Sequence, residues 1–346
     1  MKYKEISGNP NSAMREFLTG LLESGAVSAV ITAVDTPEGP ANHLISDPNK
    51  LEVAIPLSPV MPENTANLLS QMTRESELDR PVAALVKPCE LRGFYELLKR
   101  EVGHRENFIF ISPVCGGITE ETEPVEYFAG LESGDLPEGI RPTCAGCLHF
   151  TPYHSDITVI PSEDGIELYA DETAGISDFA GEADFPEGRF DKLRETREKG
   201  RALLAEEMDL TSAGIPGLID IFGRCIGCHG CSASCPICYC ELCSFESREN
   251  ELTPEQTGSE LKKRGGLRMP PRTLLFHLGR LTHMGISCVA CGTCSEVCPA
   301  DIPISSVFKL VGEAIEKRFD YVPGEDPAEE VPLLKFELEE LEEVAD

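Results

Sequence analysis

The pattern Cys225-x-x-Cys228-x-x-Cys231-x-x-x-Cys235-Pro236 returns as Cys288-x-x-Cys291-x-x-Cys294-x-x-x-Cys298-Pro299. Three thiolates two residues apart on a tight loop can cap three corners of one inorganic cube. The fourth, after a short helical turn, points away toward a neighbouring cube. Two copies therefore predict two 4Fe–4S clusters with crossed ligands. One set is Cys225, Cys228, Cys231 and Cys298; the other is Cys288, Cys291, Cys294 and Cys235. The prolines turn the chain away after each run. Zinc is the competing occupant of thiolate sites, but zinc sites rarely repeat this spacing.

The chain of 346 residues holds fifteen cysteines, so seven remain. The amino terminus, MKYKEISGNPNSAM, has no apolar signal core, and no stretch approaches the roughly 18 apolar residues of a membrane span. A cytoplasmic location is expected. Thiols stay reduced there, so metal binding rather than disulfide formation explains them. Four lie upstream: Cys89 in KPCELRG, Cys115 in SPVCGG, and Cys144 and Cys147 in RPTCAGCLHF. Cys89 and Cys115 each follow a predicted strand, which can bring them to one edge of one sheet, where the C-x-x-C loop can complete a third cluster. The last three, Cys238, Cys240 and Cys243, can supply a fourth cluster with His229, His277 or His283 as the remaining ligand, can be alternative ligands, or can be free thiols.

Thirty basic residues against 60 acidic give a net charge of −30, which excludes a nucleic-acid binder, since displacing counterions from phosphates needs a cationic face. Acid is densest in GEDPAEEVPLLKFELEELEEVAD (324–346), a segment read either as disordered or as docking on a partner through Leu333, Leu334, Phe336, Leu338 and Leu341. KKRGGLRMPPR (262–272) is locally basic, a solvated loop or a face for an acidic partner.

Along the chain, SAMREFLTGLLESG (12–25) predicts an amphipathic helix feeding a strand at 26–34. VAALV (82–86), a turn at PCE, a helix over 91–102 and a strand over 107–114 make a parallel α/β unit. Residues 119–140 read as loop and 157–171 as a hairpin with EDG near its turn. Residues 184–208 read as a charged helix with Leu193, Leu203 and Leu204 on one side, and 273–284 as a further helix. The expected fold is a mixed α/β amino-terminal domain followed by an α-helical, ferredoxin-like domain. No nucleophile elbow, H-E-x-x-H motif, dinucleotide fingerprint or Walker loop occurs.

KPCELRGFYELLK, FIFISPVCGG and RPTCAGCLHFTPYHSDITV together resemble the beta subunits of coenzyme F-420-reducing hydrogenases and F-420-dependent formate dehydrogenases. The most specific mark is the C-x-x-C of Cys144 and Cys147 with Phe150 and Ser155-Asp156-Ile157. The likeness covers about residues 20–160, and the carboxy-terminal runs look like members with a fused two-cluster ferredoxin domain. The resemblance implies domains at 1–215, 216–310 and 311–346, the last a helix and acidic tail. It also implies that Cys89, Cys115, Cys144 and Cys147 hold one cluster, and that FAD passes electrons between clusters and coenzyme F-420. The implied partner is a formate dehydrogenase alpha subunit, a hydrogenase, or a heterodisulfide-reductase-type complex. Lys87 and Arg92, flanking Cys89, are candidates for a flavin phosphate or for lowering that thiol's pKa, or are ordinary surface charges; His149 and His154 are candidate proton carriers or satisfied structural histidines. One departure bears on the flavin. Family members open with a Gly-Gly-containing helix start that approaches it, and NPNSAMREF stands there instead. FAD stays open on this reading, beside a flavin-free subunit that only wires two partners together.

Overall fold

The computed structural model describes residues 1–122, 127–171, 176, 179, 181–247 and 252–334. The elements run β1 (Lys2–Ser7), α1 (Pro10–Glu23), β2 (Ala29–Val34), β3 (Ala41–Ile45), α2 (Thr65–Met72), β4 (Val82–Leu85), α3 (Pro88–Leu98) and β5 (Phe108–Pro113). Then come α4 (Gly130–Ser133), α5 (Pro142–Ala145), β6 (Ile157–Ser162), β7 (Gly165–Ala170), β8 (Gly181–Glu182), α6 (Asp191–Met208) and α7 (Leu210–Phe222). The cysteine-rich stretch that follows is helical: α8 (Gly230–Ala233), α9 (Pro254–Arg264), α10 (Thr273–Met284), α11 (Thr293–Glu296) and α12 (Ile304–Phe319).

The strands form one mixed sheet in the order β3-β2-β4-β5-β6-β7-β1-β8. Its centre, β2, β4, β5 and β6, is parallel, with Val30 opposite Ala83 and Ala83 opposite Ile109. These strands are apolar at successive positions because both faces are covered. Val30, Ala83 and Ile111 point to one face, where Met14, Phe17, Leu18 and Leu21 of α1 pack. Ile31, Ala84 and Phe110, their strand neighbours, point to the other face. That second core contains Leu91, Phe94 and Leu97 of α3 and also Phe222, Phe276, Val307 and Phe308 from the cysteine-rich stretch. The cysteine-bearing helices are thus packed against the same sheet face as α3.

The parallel unit expected at 82–114 is present with shifted bounds. PCE, read as a turn, is the first turn of α3: Pro88 takes a position that needs no N–H, and the Glu90 carboxylate accepts from the Lys87 backbone N–H at 2.7 Å. The hairpin at 157–171 is β6 and β7, in register from Ile157↔Ala170 to Ser162↔Gly165. In α6, Leu193 and Leu204 are buried, but Leu203 is 58% exposed. The third inward residue is Arg197, four positions after Leu193. The loop expected over 119–140 contains α4.

β1 (KYKEIS) and β3 (ANHLI) were not visible as strands because each is rich in polar residues. They earn their place by pairing, β1 with β7 and β3 with β2. Part of the acidic terminus folds back on the chain itself: Tyr321 and Val331 are buried with Ile286. Leu334 is exposed; the Leu333 side chain, Phe336, Leu338 and Leu341 lie outside the described residues. No helix among the described residues is long and apolar enough to cross a membrane.

Candidate metal centre

β4 and β5 are parallel neighbours, so the segments leaving their carboxyl ends emerge side by side, the usual place for a site in such a sheet. Cys89 is the second residue of α3, directly after β4, and Cys115 lies just beyond β5. Cys144 sits in α5 and Cys147 follows it. Gly117 holds φ +116°, and a Cβ there would lie 2.4 Å from Ile140 and 3.5 Å from the Cys144 Cβ; only glycine lets the Cys115 loop come so near the C-x-x-C loop. Cys89, Cys115 and Cys144 each feel the charge of others in the group. Burial raises Cys89, with Cys291, Glu90, Cys115 and Cys144 adding to it, and burial followed by Cys115 and Cys147 pushes Cys144 up to about 12. The structure therefore gathers the four upstream cysteines.

The two repeated runs fold so that their fourth cysteines change places. Cys225, Cys228, Cys231 and Cys298 line one compact cavity, with His277, Phe276 and Ile304. Cys235, Cys288, Cys291 and Cys294 line another, with Arg280, Met284 and Phe308. Burial raises Cys231 and Cys288 to about 11 each. Neighbouring sets lie within electrostatic reach of one another. Cys291 perturbs Cys89, Cys231 perturbs Cys294, and the Arg141 guanidinium donates to the Cys291 carbonyl at 2.9 Å while paired with Glu296. The spatial order is the upstream set, then the Cys288 set, then the Cys225 set.

Cys238, Cys240 and Cys243 share a separate cavity of about 570 Å³ with Cys228, His229 and His283. The Cys238 Sγ lies 2.9 Å from the Met284 sulfur. A hydrogen bond from Cys235 lowers the Cys238 thiol; burial opposes this and Arg280 reinforces it. Of the three histidines considered for this trio, His229 and His283 line its cavity. His277 instead stacks on Phe222 at 4.2 Å in the wall of the Cys225 cavity, with both ring nitrogens lacking a hydrogen-bond partner among the described residues. His229 bonds Glu246 through Nδ1 and stacks on Phe276.

Lys87 donates from Nζ to the Val60 carbonyl at 2.6 Å and stands near Cys115. Arg92 is buried and donates from Nε to the Pro323 carbonyl at 2.7 Å. His149 bonds the Tyr153 hydroxyl at 3.1 Å, and burial followed by Arg92 and other cations keeps it neutral. His154 turns with φ +50°, and its carbonyl accepts from the Tyr95 hydroxyl at 2.6 Å. Asp156 of the S-D-I segment accepts from Arg105 at 2.7 and 2.8 Å and from the Phe110 N–H at 2.7 Å. Asp156→Ala is expected to cost about 2 kcal/mol, the scale of charge-assisted bonds, read as a lower denaturant midpoint; an unchanged midpoint would show that the loop is held by packing alone.

Three buried arginines, Arg141, Arg197 and Arg280, escaped the reading of the sequence. The signal was there for Arg280, a cation inside the apolar run LLFHLGRLTHM, and for Arg197, in register with Leu193.

No family model matches the chain. It is similar over nearly its whole length to two proteins named as beta subunits of an oxidoreductase. One is the F420-dependent formate dehydrogenase subunit beta of Methanocaldococcus jannaschii, 24% identical over 94% of this chain and 97% of that one. The other is the F420-dependent formate dehydrogenase 1 subunit beta of Methanococcus maripaludis, 24% identical over 92% of each. The resemblance first read from residues 20–160 thus extends over almost the entire chain and bears out the likeness to these beta subunits.

Proposed function

We propose that this chain is the iron–sulfur beta subunit of a formate dehydrogenase- or hydrogenase-type oxidoreductase, relaying single electrons through three 4Fe–4S clusters. The observation that carries this is the crossed gathering of cysteines. Cys298 joins Cys225, Cys228 and Cys231, and Cys235 joins Cys288, Cys291 and Cys294, as a two-cluster ferredoxin requires. The repeated C-x-x-C-x-x-C-x-x-x-C-P spacing, which zinc sites rarely show, supports a cube over zinc. The contiguity of the three sets supports a linear relay, with the upstream Cys89, Cys115, Cys144 and Cys147 at one end.

On this reading 1–215 is the beta-subunit domain, 216–310 the ferredoxin-like domain and 311–346 the terminal helix and tail, and the protein works in the cytoplasm. A catalytic alpha-type subunit is the partner. Ile215, Ile219, Ile226, Leu242, Met269 and Leu275 are exposed on and just before the cysteine-bearing part.

Coenzyme F-420 enters through the names of the relatives, and FAD only through the family resemblance of residues 20–160. The amino end of α1 does not favour a flavin there. Asn9 caps Ser12 at 3.1 Å, Pro10 opens the helix, and buried Asn11 takes the Leu57 N–H at 2.8 Å. That filled corner favours the second reading, a flavin-free wiring subunit of a heterodisulfide-reductase-type complex.

Iron and sulfide analysis of anaerobically prepared protein tests the proposal. About twelve irons are expected, about eight would remove the upstream cluster, and about sixteen would add one at Cys238, Cys240 and Cys243. Colourless protein, or zinc alone, would overturn it. Extracted flavin, with electron transfer to the deazaflavin, would select the first reading over the wiring one.

A further inference from the structure

Arg280 and Arg197 are 3% and 1% exposed, and among the described residues neither forms an ion pair with a carboxylate. Among the described residues the Nε of each has no hydrogen-bond partner. Three other buried cations differ: Arg141 pairs with Glu296, Arg100 with Glu96, and Lys309 with Glu313 at 2.7 Å, while buried Arg92 gives its Nε to the Pro323 carbonyl. Arg280 instead donates to the Cys231 Sγ at 3.1 Å and the Cys231 carbonyl at 3.0 Å. It lies over the Phe276 and Phe308 rings and lines the cavity of Cys235, Cys288, Cys291 and Cys294. Glu246, which shares the trio's cavity with Arg280, is taken up by His229 and Ser232.

Arg197 repeats the arrangement at the other end. It donates to the Cys115 carbonyl at 2.9 Å and to the Cys147 carbonyl at 3.3 Å, over the Phe150 ring. Its helix reaches in at Gly200, where a Cβ would lie 2.3 Å from the Ala145 carbonyl oxygen. A guanidinium out of water needs an anion close by. For Arg280 that candidate is the Cys231 sulfur at 3.1 Å, and Arg197 is held on the carbonyls of two of the four upstream cysteines.

We propose that Arg280 and Arg197 are fixed counter-cations that set the reduction potentials of the cysteine-held clusters. The inference rests on the reading of the three cysteine sets as cluster sites. A cube held by four thiolates is anionic, and its one-electron reduction adds a further negative charge. A positive charge fixed nearby in a low dielectric therefore stabilises the reduced form more than the oxidised one and raises the potential. Arg280 stands between the Cys225 and Cys288 sets and acts on both. Arg197 acts on the upstream set. Both are positioning residues: neither holds iron.

The test is a mediated redox titration of the full chain, anaerobic, with dithionite as reductant and EPR as the readout. Arg280→Gln is expected to shift two of the three midpoints negative, each by at least tenfold in the reduction equilibrium, about 59 mV for one electron. The third stays in place. Arg197→Gln is expected to shift that third midpoint alone. Arg280→Lys, which keeps the charge, is expected to stay near wild type. Loss of iron from Arg280→Gln but not from Arg280→Lys supports the same role, since the cluster then requires the charge itself. Full iron with unmoved midpoints, a common shift of all three from either variant, or loss of iron from both Arg280 variants would overturn the inference. Wild-type protein without iron would instead bring down the cluster reading, and the inference with it.

Discussion

Cys298→Ser is expected to lose the same cluster as Cys231→Ser, although 298 belongs to the second cysteine run, and to leave the cluster of Cys288, Cys291 and Cys294 intact. Cys235→Ser, in the first run, is expected to lose that other cluster. Each variant retains about eight of about twelve irons. The reason is the exchange of fourth cysteines between the runs, seen in the two cavities they line. A serine oxygen at one corner is a harder, less readily deprotonated donor than a thiolate, so the cube is lost or its EPR signal altered. Pairs of variants make the measurement decisive. Cys231→Ser with Cys298→Ser is no more costly in iron than either alone, whereas Cys231→Ser with Cys235→Ser removes both clusters and leaves about four irons. If Cys298→Ser instead removes the signal lost in Cys294→Ser, each run holds its own cube and the crossed arrangement is wrong.

What the sequence disclosed and what it concealed divide along a physical line. Cysteine spacing, the strand–helix–strand at 82–114 and the hairpin at 157–171 are local patterns, and the structure gathers the residues they pointed to. The emergence of Cys89 and Cys115 at one sheet edge followed from two short apolar strands of the same direction. By contrast β1 and β3 are strands because of what they pair with, and KYKEIS and ANHLI carry no apolar alternation to announce it. Leu203 was placed inward because it neighbours Leu204. The 3.6-residue period turns it outward and brings Arg197 in. A buried cation looks like a surface cation in a string of letters, so Arg197 and Arg280 needed the fold. At the start of α1 the sequence shows NPNSAMREF, but not that Asn11 reaches 46 residues along the chain to the Leu57 N–H.

Glu96→Ala is expected to be among the most damaging substitutions outside the cysteines. Glu96 is 0% exposed. It accepts from Arg100 at 3.0 Å, from the Gly324 N–H at 2.9 Å and from the Tyr321 hydroxyl, with Lys99 at 3.4 Å. Arg100 in turn reaches Ser287. One carboxylate thus ties α3, whose second residue is Cys89, to the turn before Cys288 and to the returning segment at 321–324. Gly324 has no room for a side chain, since a Cβ would meet the Arg92 carbonyl at 2.2 Å. Removing Glu96 leaves buried Lys99 and Arg100 without their anion, a loss of about 3–5 kcal/mol, a large share of the stability of an ordinary domain. Burial alone would raise this carboxyl, but hydrogen bonds from Ser287 and Tyr321 and the charges of Lys99 and Arg100 hold it below its usual value. Its folded pKa is depressed, so its contribution is complete above the unfolded value of about 4.3 and fades only as pH falls through the lower folded one. The gap in denaturant midpoint between wild type and Glu96→Gln, measured anaerobically, is therefore expected to stay constant from about pH 8 to about pH 5.5. A gap that closes within that range would mean that Glu96 takes up its proton there, and that the cations around it do not hold it charged.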